Sequence, residues 1–97
     1  NPETEQVIKF PTRAWISNEL DPHFTVIELQ ALDRIGLLHD VFKTVNTFGF
    51  KTVHCRICTE KGAALDSIFI CTDDEQKVTD QPSLEKLKGE LNALLEG

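Results

Sequence analysis

Apolar positions along this chain fall into two alternating periods. From Phe24 to Ala31 they recur at every second residue. Thr25, Ile27, Leu29 and Ala31 share one face, and Phe24, Val26, Glu28 and Gln30 share the other, the pattern of a half-buried strand. Arg13 to Asn18, with Trp15 and Ile16, reads as a shorter strand. Glu19-Leu20-Asp21-Pro22 between them has turn chemistry, so the two segments predict a hairpin. The period then changes. Leu37, Leu38, Val41, Phe42, Val45 and Phe48 recur at steps of three and four, which predicts one helix stripe. Gly49 suits the left-handed position just past that helix. Thr52 to Thr59 predicts a third strand and Lys61-Gly62 a turn. Ala63 to Thr72 is apolar on both faces, the mark of a central strand. Leu84, Leu87, Leu91, Leu94 and Leu95 predict a second helix, with Ser83 as its cap. Asn1 to Pro11 is charged and aperiodic and reads as a linker or tail.

The order strand, strand, helix, strand, strand, helix predicts an α+β two-layer sandwich. Both helices would cover one face of a four-stranded antiparallel sheet, with a right-handed crossover. The other face would carry Trp15, Phe24, Val26, Phe69 and Cys71. A contiguous patch of that kind marks an interface, here with a second copy or a neighbouring domain. The competing reading is that Arg13, Glu28, Gln30, His54 and Arg56 break the patch enough for solvent.

Composition narrows the function. Ninety-seven residues support a single core. A net charge of −6 argues against holding nucleic acid by phosphate neutralisation. No apolar run approaches the ~18 residues of a membrane span, and the polar, acidic start is not signal-like. The first residue is not Met, so the chain reads as an excised piece. Cys55, Cys58 and Cys71 are odd in number and irregular in spacing, which points to free thiols in a reducing, cytoplasmic setting. Cys55 and Cys58 lie three apart on an expected strand and so face opposite ways. His39 and Asp40 project about 100° apart on a helix and have no further ligands near them in sequence. No nucleophile–base pair can be assembled, so the chain is expected to hold no catalytic centre, metal or cofactor of its own.

One junction remains. Asp33-Arg34-Ile35-Gly36-Leu37-Leu38 links the second strand to the first helix. Backbone N–H groups at a helix start are unpaired and partly positive, and a glycine lets a ligand approach the backbone closely. The junction therefore suits a small ligand bearing a carboxylate. The plainer reading is a strand-to-helix turn with Asp33 near the N-cap.

These segments in order, Asp33-Arg34-x-Gly36-Leu37-Leu38, Phe48-Gly49, Arg56-Ile57-x-Thr59 and Phe69-x-x-Thr72-Asp73, resemble an ACT domain over Thr12 to Gly97. The resemblance implies a ferredoxin-like regulatory module that binds amino acids at paired interfaces. Pro11-Thr12-Arg13, Ser17-Asn18 and Phe24 to Glu28 are similar to the last ACT domain of the PII uridylyltransferase/uridylyl-removing family. That family's ACT pair is implicated in glutamine sensing. Its catalytic domains, for which magnesium is expected, modify the PII signal protein. The N-terminal strand would replace the usual last ACT strand beside the Phe24 strand. Asp33, Arg34, Ile35, Gly36 and Leu37 correspond to the ligand loop. Lys51 stands where the family commonly has Asn or Asp facing the same crevice across a paired interface. A lysine cannot accept from an ammonium group. Two other readings stay open: a ligand-free dimerisation module, and an ACT domain of another regulator such as a stringent-response synthetase.

Overall fold

The computed structural model describes residues 11–96. The expected tail, Asn1 to Pro11, lies outside these residues except for Pro11 itself. Seven elements follow: β1 (Arg13–Ser17), β2 (Thr25–Leu32), α1 (Leu37–Thr47), β3 (Lys51–Arg56), β4 (Thr59–Glu60), β5 (Ala63–Cys71) and α2 (Gln81–Glu96). The sheet order is β1-β2-β5-β3, with β4 also on β5 and every pairing antiparallel. Both helices cover one face, giving the expected α+β ferredoxin-like sandwich. The N-terminal strand occupies the edge beside β2.

The core follows from the two periods. Ile27, Leu29 and Ala31 of β2 and Ala64, Ile68 and Ile70 of β5 face the helices. Leu37, Val41 and Val45 of α1 and Leu84, Leu87 and Leu91 of α2 close over them. Leu38, Phe48, Leu94 and Leu95 lie at the margin, half-buried, while Phe42 is largely exposed. Helix α1 stops where its sequence says it should. Gly49 has φ +80, its N–H bonds Asn46 O at 2.9 Å, and the Phe50 N–H reaches back to Val45 O at 3.4 Å. That pair of bonds is the Schellman stop, and it satisfies two otherwise orphaned carbonyls.

Three details depart from the sequence expectation. The third strand is not continuous: Ile57 and Cys58 leave the ladder, splitting it into β3 and β4. The cause is a side chain. Asp66 Oδ1 accepts the Cys58 N–H at 3.1 Å, in place of a backbone carbonyl, while Cys58 O accepts the Leu65 N–H at 2.8 Å. A register shift between Thr52 and His54 adds a bulge to β3. The cap of α2 is Asp80 rather than Ser83. The Asp80 carboxylate accepts the Ser83 N–H at 3.1 Å and also its hydroxyl, so Ser83 sits in the first turn as a donor.

Two polar staples fix the outer parts to the core. Asn92 of α2 accepts the Ala14 N–H at 3.0 Å and donates to Ala14 O at 2.9 Å, pinning edge strand β1. Thr25, fully buried, accepts the Val78 N–H at 2.8 Å through its hydroxyl, which also donates to Asn18 Oδ1. Asn18 in turn donates to Val78 O at 2.8 Å. The connection between β5 and α2 is held against the β1–β2 hairpin by this set. Thr25→Val keeps the shape but strips the acceptor from a buried N–H. It is expected to lower the unfolding free energy by about 1–3 kcal/mol, read by urea denaturation; an unchanged midpoint would show that the staple is idle.

Candidate functional site

Leu32 pairs with Ala63 at the end of β2, and the chain must then reverse to lay α1 across the sheet. Asp33 ties this turn down by donating its N–H to Gly62 O at 2.8 Å. Gly36 makes the bend at φ +84 and is itself the N-cap of α1, with no side-chain cap bond. Asp33 is therefore not the cap; the cap residue has no side chain, and the turn needs a left-handed φ that glycine adopts without strain. Among the described residues, no acceptor meets the N–H groups of Leu38 and His39 in the first turn. They carry the positive end of the helix dipole.

A cavity of about 250 Å³ opens at this point. Asp33, Arg34, Gly36, Leu37, Leu38 and His39 line it from the loop and α1. Ile57 and Thr59 line it from the break between β3 and β4, and Asp66 lines it from β5. The volume lies just under the ~300–1,000 Å³ of drug-sized pockets and suits a smaller metabolite. A wider depression of about 580 Å³ lies at the other end of the sheet, by Pro22, His23, Glu75 and Lys77. Lys77 there is committed to Asn18 O at 2.6 Å, which makes it part of the hairpin staple.

Asp66 is the residue the sequence reading missed. It is 2% exposed, a carboxylate on the helix-facing side of the central strand. Burial pushes its carboxyl above the ordinary value of 3.8 and the neighbouring Asp33 charge adds to this, against the stabilising Cys58 N–H. The signal was available: Asp66 interrupts an otherwise apolar strand, and a buried charge in that setting needs a reason. Arg34 is no counter-ion for it. The guanidinium pairs with Asp40 at 3.2 Å and touches Ile35 O at 3.5 Å. His39 also leans on Asp40, at 3.7 Å.

The expected loop residues gather here: Asp33, Arg34, Gly36 and Leu37 line the cavity, and Ile35 between them projects fully into solvent. Lys51 does not join them within the chain. It pairs with Cys71, whereas the loop follows the Leu32–Ala63 pair, so the length of the sheet lies between. The open sheet face also differs from the apolar patch anticipated. Val26 and Phe69 are only 1% and 8% exposed. The His54 ring stacks on Phe69 at 4.1 Å and meets Phe24 edge-on at 6.0 Å. Arg13 lies 5.0 Å over the half-buried Trp15 ring. Glu28 accepts from Ser67 at 2.7 Å and Ser67 from Arg56 at 3.3 Å. The polar residues weighed against the patch thus roof or interrupt it. Cys55, Cys58 and Cys71 are all free, and burial pushes the Cys55 thiol up. Among the described residues, no helix is long and apolar enough to cross a membrane.

Two helices on one face of an antiparallel sheet, with a glycine-capped crevice after β2, define a class of α+β domain, and comparison with known proteins gives that class its family. A family model described as "ACR9-like, ACT-like domain" matches residues 14–96, and the chain belongs to this ACT-like family. At the level of individual proteins, it is similar to bifunctional uridylyltransferase/uridylyl-removing enzymes. It shares 35% identity over 81 residues with those of Caulobacter vibrioides strains NA1000 and ATCC 19089, covering 84% of this chain and 9% of theirs. With that of Gluconobacter oxydans it shares 32% over 90 residues, 93% of this chain and 10% of the relative. The chain thus spans about a tenth of the length of these relatives. No solved structure matches it.

The raised Asp66 carboxyl has a consequence for stability. As pH rises from 3.8 the unfolded chain loses this proton first, so the folded state binds more protons and stability falls until the folded carboxyl has also ionised. The titratable and charged groups around it are Asp33, Arg34 and His39 at the cavity and the neutral Cys55 thiol. Asp66→Asn keeps an acceptor for the Cys58 N–H and removes the charge. It is expected to match or exceed the wild-type unfolding free energy at pH 7, with the advantage vanishing as pH falls toward 3.8. Urea unfolding at both ends of that window checks it, and a variant equally weakened at both would contradict it.

Proposed function

We propose that this chain is an amino-acid-sensing regulatory domain, with L-glutamine as its ligand. It would act within an enzyme of the uridylyltransferase/uridylyl-removing kind whose target is the PII signal protein. The observation that carries this reading is the cavity after β2. Its volume suits a small metabolite, and among the described residues two first-turn N–H groups of α1 beside it have no acceptor. Those donors and the helix dipole would hold the ligand's carboxylate. The homology to the uridylyltransferase enzymes supports the setting.

Ile57, which lines the cavity, and Leu32 and Ile35, which flank its loop residues in sequence, are exposed apolar side chains. A second ACT domain or a second copy of the chain would cover them and close the ligand in. Glutamine would then shift the enzyme between attaching and removing UMP by binding one arrangement of the two domains better than the other. The same exposed residues also favour a second reading, an association module that takes no ligand.

Titration calorimetry with L-glutamine separates the two. Saturable binding is expected, weakened about tenfold or more, near 1.4 kcal/mol, in Gly36→Asp. Aspartate is strained at this left-handed φ, although it visits that region more readily than most side chains, so circular dichroism checks the variant's fold first; its carboxylate would compete for the same N–H donors. A folded dimer that takes up no glutamine would instead identify the association module.

A further inference from the structure

We propose that Asp66 is the ammonium-recognition residue of this cavity, so that the site reads an α-amino acid through both of its charges. This rests on the sensor reading and deepens it. Four observations support it. First, Asp66 is 2% exposed yet lines the cavity. Second, among the described residues its carboxylate accepts one hydrogen bond, at Oδ1 from Cys58, and Oδ2 accepts none. Third, Arg34, which also lines the cavity, pairs with Asp40 and not with Asp66. Two carboxylates, Asp33 and Asp66, line the cavity beside it. Fourth, the start of α1 also lines the cavity, through Leu37, Leu38 and His39, and among the described residues the Leu38 and His39 N–H groups have no acceptor. Part of the lining of a small cavity thus asks for a cation and part for an anion, which is the charge pattern of a zwitterion.

The fold alone does not need the charge. Holding the Cys58 N–H requires one acceptor oxygen, and an asparagine amide would supply it without burying a carboxylate. A full negative charge at a site that takes up a cation has a use; the same charge beside an empty cavity only costs stability. The site also selects against ligands that carry a carboxylate and no amine, since these leave Asp66 unpaired in a closed space.

The test compares two ligands on two proteins by calorimetry: L-glutamine and 4-carbamoylbutanoate, which is glutamine without its α-ammonium, on the wild-type chain and on Asp66→Asn. The account expects the variant to lose glutamine affinity about tenfold to a hundredfold, the range for a hydrogen bond to a charged group, and to bind the deaminated analogue at least as well as the wild type does, because the charge that selects against it is gone. Where the analogue is too weak to measure on the wild type, a selective loss of glutamine by a variant of unchanged unfolding free energy supports the assignment. Equal glutamine affinity in the two proteins, or an equal loss for both ligands, overturns it and leaves the sensor reading standing. A wild-type chain that ignores glutamine overturns the sensor reading itself, and this assignment with it.

Discussion

Strand β5 is the member on which every other part of the sheet is assembled. It pairs with β2 along one side and with β3 and β4 along the other, and all but one of its residues are buried. Burial on both faces demands that its side chains be apolar or fully partnered. Most comply by being Ile, Ala, Phe or Cys. Ser67 complies through Glu28 and Arg56 on the open face. Asp66 complies only in part, through one peptide N–H. That single bond draws Cys58 out of line, ends β3 two residues before β4 begins, and opens the cavity's third wall. The interruption in the sheet and this wall of the candidate site therefore share one cause.

The second wall has a different origin. A chain leaving β2 must turn sharply to put α1 over the sheet, and Gly36 makes that turn with a left-handed φ at the position where most helices place a capping side chain. Among the described residues, the helix consequently begins with donors that no side chain serves. A turn chosen for geometry leaves the N-terminus free for a ligand. Ile57 in its lining and Leu32 and Ile35 next to its loop residues remain exposed, so the crevice stands at the surface where a neighbouring domain can cover it. Binding at such a crevice can be transmitted outward because its walls belong to both layers of the sandwich.

Much of this fold was legible in the residues. Alternation in β2, the three-and-four step in α1 and the leucines of α2 placed all the main elements, because each buries one face and the pattern records which. Phe48-Gly49 marked the end of α1, and Gly36 marked its start as a ligand-suited turn. What escaped were side-chain-to-backbone bonds. The break at Ile57 and Cys58, the Asp80 cap and the Thr25 and Asn92 staples all depend on a polar side chain finding a distant or local peptide group, which no periodicity encodes. On the open face His54, one of the residues weighed against an apolar patch, covers Phe69 with its ring, a contact that no hydrophobic tally records. Asp66 was passed over because the strand around it read as apolar. Lys51 was placed at the crevice by resemblance, while within the chain it lies at the far end of the sheet.

The central claim is that a zwitterionic amino acid sits between the start of α1 and Asp66. The most direct measurement is a two-dimensional amide NMR titration of the isotope-labelled chain with L-glutamine. The account expects saturable shifts concentrated at Leu38, His39, Cys58 and Asp66, with the amides of the open sheet face unmoved. Shifts centred on Trp15, Phe24 and His54, or none at saturating ligand, would contradict it.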